Sequence, residues 1–212
     1  MTRSLSIMTG RRAAAIVAAS ALLFSTSCGD KVLQGRGASY LIVSLLEAAS
    51  GAKVSTFSTV LESDVVTYVK VGSSAVATPT VFEDMGQVTL RMAMKDPINV
   101  TSPTDTNSIT IERYHVDYVR TDGRNTQGVD VPYSFDGAVT GTVTSAGTSL
   151  VFVLVRAQAK LEAPLMALRG AGGAIMISTI AQVTFYGHDQ AGNAVAVTGT
   201  ISVTFADWGD PA

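Results

Sequence analysis

Alternating apolar residues, turn-forming residues at short intervals and a lack of helical periodicity predict an all-β chain folded as an antiparallel β-sandwich. The strongest of these signals lies near the C-terminus. From Ala174 to Asp207 two runs alternate between apolar and polar residues. The first places Ile175, Ile177, Thr179, Ala181, Val183 and Phe185 on one face, and the second places Val195, Val197, Gly199, Ile201, Val203 and Phe205. A period of two over this length means two strands, each with one buried face. Between them lies Asp189-Gln190-Ala191-Gly192-Asn193. An Asp side chain accepts a hydrogen bond from the backbone N–H two residues on, and Gly192 takes a positive φ at little steric cost. The segment therefore predicts a three-residue loop built as a type I turn with a bulge. With Asp189 facing Asn193, Phe185 falls opposite Val197, Ala181 opposite Ile201, and Ile177 opposite Phe205. A slip of one residue would destroy that agreement, so the register is well specified.

The start of the chain has a different character. Arg3, Arg11 and Arg12 precede a largely apolar run from Ala13 to Phe24. Twelve residues are too few to cross a bilayer, which needs about 20, but they suit the apolar region of a secretory signal. The run ends at Ser25-Thr26-Ser27-Cys28, and Cys28 is the only cysteine. This arrangement resembles bacterial lipoprotein signals, in which small residues precede a cysteine that is acylated and becomes the mature N-terminus. Ser27 fits the position before the cysteine. Ser25 departs from the pattern, which usually carries Leu or another aliphatic residue three positions before it. The resemblance implies a signal peptide over residues 1–27, lipid attachment at Cys28, and the membrane as a partner through acyl chains. Gly29 follows the cysteine, not the Asp that holds such proteins in the inner membrane in the enterobacterial pattern. The outer membrane or the cell surface is thus expected.

Removing residues 1–27 takes away three of the 15 basic residues and none of the 17 acidic ones, leaving a net charge of −5. No basic stripe remains, which argues against nucleic acid. Without a second cysteine there are no intrachain disulfides, so stability rests on packing. Residues 28–39 carry Gly29, Gly35 and Gly37 and read as a flexible tether.

Residues 40–212 then form the sandwich, with extra N-terminal strands in 40–95. Tyr40 to Ala49 alternates as a strand that breaks near Gly51, although Leu45-Leu46-Glu47-Ala48-Ala49 would also suit a short helix; the strand is the preferred reading. Phe57 to Val71 supplies one or two strands, with Glu62-Ser63-Asp64 as a bend or irregularity. Val88 to Met94 alternates cleanly. Lys95 to Ser108, with Pro97 and Pro103, is a loop and a possible boundary between two small domains. Ile109 to Val119 is a strand whose phase flips near Glu112-Arg113, the mark of a bulge or of a strand buried on both sides, and Thr121-Asp122-Gly123 is a turn. Gly137 to Thr144 and Leu150 to Lys160 suggest a second hairpin around Ser145-Ala146-Gly147. Leu150 to Val155 is apolar on both parities, as expected of a central strand covered on both faces. Ala163 to Gly173 reads as a crossing between sheets.

Two stretches sharpen the fold. Asp189-Gln190-Ala191-Gly192-Asn193 is similar to the turn between the last two strands of bacterial immunoglobulin-like domains. Tyr114-His115-Val116-Asp117-Tyr118, followed by Asp122-Gly123, is similar to the third strand of fibronectin type III modules. The resemblance implies an immunoglobulin-like sandwich and carries no function with it. The chain departs from it in lacking a cysteine pair and a tryptophan in the middle strands.

Candidate chemistry is sparse. Ser50-Gly51-Ala52-Lys53 matches the S-x-x-K nucleophile motif, but the partner motifs S-D-N and K-T-G are missing. His115 and His188 lack metal-ligand spacing. Asp117, Asp122, Asp130, Asp136 and Asp189 could collect calcium in principle, yet turn capping accounts for each. Gly170 to Gly173 lacks the residues of a phosphate loop. No catalytic residue, metal or cofactor is expected. The expected role is binding or assembly in the cell envelope, with an envelope protein as partner. A glycan or peptide site using exposed Tyr114, Tyr118, Tyr133 or Trp208 is the alternative. A hydrolase would need Ser or Asp within reach of a histidine.

Overall fold

The computed structural model describes residues 37–70, 76–95 and 104–208. The expected signal peptide, Cys28 and most of the expected tether lie outside these residues, as do Pro97 and Pro103. Strands β1 (Ser39–Ala49), β5 (Asp84–Met94) and β8 (Thr148–Val155) form one sheet in the order β1-β5-β8. Strands β2 (Val60–Asp64), β10 (Ala194–Ala206), β9 (Ile177–Asp189), β6 (Ile109–Val119) and β7 (Phe135–Val143) form the other, in the order β2-β10-β9-β6-β7. A short ribbon pairs β3 (Thr67–Val69) with β4 (Thr78–Thr80). Every pairing is antiparallel except β2 with β10, which is parallel. The expected all-β sandwich is therefore what the chain forms.

The inner faces meet in one apolar core. Phe152 of the smaller sheet packs edge-on against Phe185 and Tyr114 of the larger, with ring centroids 5.2 and 5.0 Å apart. Such contacts add to the hydrophobic gain of burying the rings. Tyr118 is fully buried, and its hydroxyl donates to the carbonyl of Leu154 across the sandwich at 2.6 Å. Burial pushes that hydroxyl's pKa far up, with the nearby Asp84 charge adding to it, so it is a donor at any physiological pH. β1, β5 and β2 bury Leu41, Leu90 and Leu61 in this same core, so residues 40–95 supply integral strands of the sandwich.

The C-terminal hairpin has the register its sequence predicts: Phe185 faces Val197, Ala181 faces Ile201 and Ile177 faces Phe205. Phe185 and Phe205 are fully buried. Gly192 has φ +79°, and its N–H donates to the carbonyl of Asp189 at 3.0 Å. The Asp189 carboxylate accepts the N–H groups of Ala191 and Asn193 and the side-chain amide of Asn193. Burial works against this charge, but those hydrogen bonds outweigh it and hold the carboxyl below its ordinary range. The bulge foreseen in β6 is also present, as a register shift between Ile111 and Arg113 on both sides of the strand.

Other expectations are corrected. Ile175 lies outside β9 and is exposed, because the strand begins at Ile177. Glu62-Ser63-Asp64 is not a bend but the last three residues of β2; the chain turns after it, at Val65 and Val66. β7 and β8 are consecutive but do not pair. β7 bonds β6 and β8 bonds β5, so the turn at Ser145-Ala146-Gly147 passes the chain from one sheet to the other. β8 is an edge strand and not a central one, with Val151 half-exposed on its outer face. It ends at Val155, and Ala157–Lys160 forms a short helix, α1. The segment after α1 does cross between sheets, burying Leu165 and Leu168 from a 3-10 turn on the way. Ser39, at the end of the expected tether, belongs to β1 and is buried, donating to the carbonyl of Asn107 at 3.2 Å.

Since the Asp189 carboxyl is depressed in the folded state, its contribution is present at neutral pH and fades as pH falls through the folded value. Asp189→Ala is expected to lower stability by about 2 kcal/mol at neutral pH and by less in acid, where the native carboxyl is itself protonated. Urea unfolding of both proteins at the two pH values measures the difference.

Candidate functional site

A buried polar cluster with no local signal in the sequence lies at one end of the sandwich. Asp84 opens β5 at the end of the sandwich where β1 stops, and it is fully buried. Its Oδ1 accepts the N–H of Gly51 at 2.8 Å, and its Oδ2 accepts the hydroxyl of Ser63 at 2.5 Å. Lys160 Nζ lies 2.9 Å from each carboxylate oxygen and is as buried as its partner. Four elements position these groups. β2 alternates so that Ser63 points inward while Glu62 faces solvent. α1 ends on Lys160 and turns its side chain into the core. Gly51 opens a 3-10 turn directly against the backbone of Glu83, where any side chain would collide with the Glu83 carbonyl.

A carboxylate has about four acceptor sites; on Asp84 three are filled by hydrogen bonds from Gly51, Ser63 and Lys160, and the Lys160 ammonium also lies against the second oxygen. Fully buried and held by these donors, the carboxylate ties together the elements that supply them.

Beside it opens a cleft of about 440 Å³ lined by Ser50, Lys53, Glu62, Asp64 and Trp208, among others. Ser63 is not on its wall, so the strand separates the cleft from the buried cluster. Ser50 and Lys53 of the S-x-x-K match both reach this cleft. They are linked by the backbone bond from Lys53 N to Ser50 O at 2.8 Å, in a 3-10 turn instead of the helical turn that the motif's chemistry requires. Trp208 is partly buried after the end of β10, its backbone N–H held by Asp64 at 3.1 Å.

The histidines sit elsewhere, on the outer face of the larger sheet. His115 Nδ1 lies 3.1 Å from Asp136, and His188 Nδ1 lies 3.3 Å from Glu112. Each therefore faces a carboxylate, but among the described residues neither bonds a hydroxyl that could act as nucleophile. Of the expected exposed aromatics, Tyr114 and Tyr118 are buried in the core, whereas Tyr133 is half-exposed. The four rings do not make one surface.

The acidic residues are spread over separate turns. Asp122 is clasped by Arg120 and Arg124, whose hydrogen bonds hold its carboxyl far below the usual range. Asp130 accepts the N–H of Thr126 at 3.2 Å, and Asp117 that of Tyr118 at 3.0 Å. Among the described residues no three of His, Cys, Asp or Glu converge as a metal site. No helix among them is long and apolar enough to cross a membrane.

Set against protein-family models, curated proteins and solved structures, the chain matches none.

Lys160→Met leaves the Asp84 charge buried without its counter-ion. This change is expected to cost about 3–5 kcal/mol, whereas Asp84→Leu with Lys160→Met should recover much of that loss. Urea unfolding of the single and double variants measures both.

Proposed function

We propose that this chain is an exported lipoprotein, anchored through Cys28, whose sandwich serves binding or assembly in the cell envelope and not catalysis. The observation that carries the address is the order of basic start, apolar run and lone cysteine over residues 3–28. Two or three acyl chains, each buried at about 0.8 kcal/mol per CH₂, suffice to hold a domain on a bilayer.

The non-catalytic reading is supported by the full burial of Asp84 among protein donors and by histidines that face carboxylates and, among the described residues, bond no hydroxyl. An immunoglobulin-like identity is supported by strand order. With β1, β5 and β8 as strands A, B and E, and β6, β7, β9 and β10 as C, C′, F and G, the pairing follows that type of sandwich. The Asp189–Asn193 turn then joins the last two strands, where the resemblance expects it.

Mass spectrometry of the membrane-extracted protein tests the anchor. An N-terminal peptide beginning at an acylated Cys28 is expected; a free Cys28 thiol inside a longer peptide would refute it.

A further inference from the structure

We infer that the outer face of the β1-β5-β8 sheet lies against the lipid bilayer, at the end where the chain enters the sandwich. The inference rests on the anchor at Cys28 proposed above. Tyr40, Ile42 and Leu45 of β1 point away from the core and are 43, 39 and 43% exposed, and Val151 of β8 is 51% exposed on the same face. The bulge between Val43 and Leu45 is what keeps Leu45 on this side; uninterrupted alternation would have turned it inward. Ile42 pairs with Arg91 and Tyr40 with Ala93 on β5. Around the entry point the face thus carries an aromatic ring, aliphatic side chains and a long cation, the mixture that suits the boundary between headgroups and acyl chains; Glu47 shares the face further along, in the row of Gln87 and Val151.

Chain length selects the occupant. Cys28 is nine residues before Gly37, a span of at most about 32 Å. Tyr40, Ile42 and Leu45 fall in the first seven residues of β1, within about 20 Å of its start. Lys95 N donates to the carbonyl of Ala38 at 2.9 Å, fixing the far end of β5 beside this entry point. A short tether gives the face a high effective concentration at the bilayer, so a patch too small to bind membrane by itself can still rest on it. Arg91 is exposed on this face near the entry point, where its cation suits anionic headgroups.

The test is hydroxyl-radical oxidation of the acylated full chain in vesicles of phosphatidylethanolamine and phosphatidylglycerol, mapped by mass spectrometry. Tyr68 and Tyr133, 46 and 50% exposed on other parts of the molecule, are internal standards. Tyr40 is expected to oxidise several-fold more slowly than either, and Ile42→Asp with Leu45→Asp is expected to restore its rate. Equal oxidation of the three tyrosines in a protein whose Cys28 is acylated would overturn the docking and leave the anchor standing. Protection seen in cell envelopes but not in vesicles would assign the face to a protein and also overturn it. An unmodified Cys28 would remove the anchor and the docking together.

Discussion

Asp84 is where four separated parts of the chain are tied by one carboxylate. Ser63 comes from the larger sheet, Asp84 itself from the smaller, Lys160 from the segment that crosses between them, and Gly51 from the turn that follows β1. Apolar packing between sheets is strong but poorly directional, since sliding one face over the other changes buried area little. A buried ion pair whose carboxylate also accepts from Gly51 and Ser63 tolerates no such slide. Its net contribution to stability is small compared with an apolar replacement. Its contribution to alignment comes from geometry, because a displaced Lys160 or Ser63 leaves a charge or hydroxyl unpartnered where water cannot reach.

The rest of the molecule is consistent with that constraint. The aromatic contacts of Tyr114, Phe152 and Phe185 fill the middle of the sandwich, and Tyr118 reaches across to Leu154. At the same end as the Asp84 cluster, Asp64 holds the backbone of Trp208 and the hydroxyl of Thr67, while Asp207 accepts the N–H of Gly170. Polar side chains therefore close the end of the sandwich by capping backbone. The outer face of the larger sheet carries threonines and serines on β9 and β10, some of which pair across strands, as Thr184 does with Thr198 at 2.9 Å.

What could be read from the sequence was whatever local chemistry determines. In the C-terminal hairpin, face, register and turn residues agree, so the pairing of Ile177 with Phe205 follows from alternation together with the Asp189–Asn193 turn. The β6 bulge shows as a change of phase at Glu112-Arg113 for the same reason. The β7–β8 connection could not be read this way. A turn between two strand-like runs looks alike whether the second strand returns beside the first or passes to the opposite sheet, and only the partners β6 and β5 decide it. Val151 misled similarly, because an apolar residue does not reveal whether anything covers it. Asp84 gave no signal at all: its partners Ser63 and Lys160 are 21 and 76 residues away. Each polar residue alone looks like any other surface residue.

Hydrogen exchange at the backbone N–H of Gly51 addresses the role of Asp84 most directly. Gly51 stands in a turn whose neighbours Ala52 and Val54 are exposed, so by location alone its amide should exchange quickly. If Asp84 fixes the alignment of the two sheets, that amide should exchange as slowly as those of the core strands β5 and β10. Exchange as fast as at Ala52 and Val54 would contradict the account.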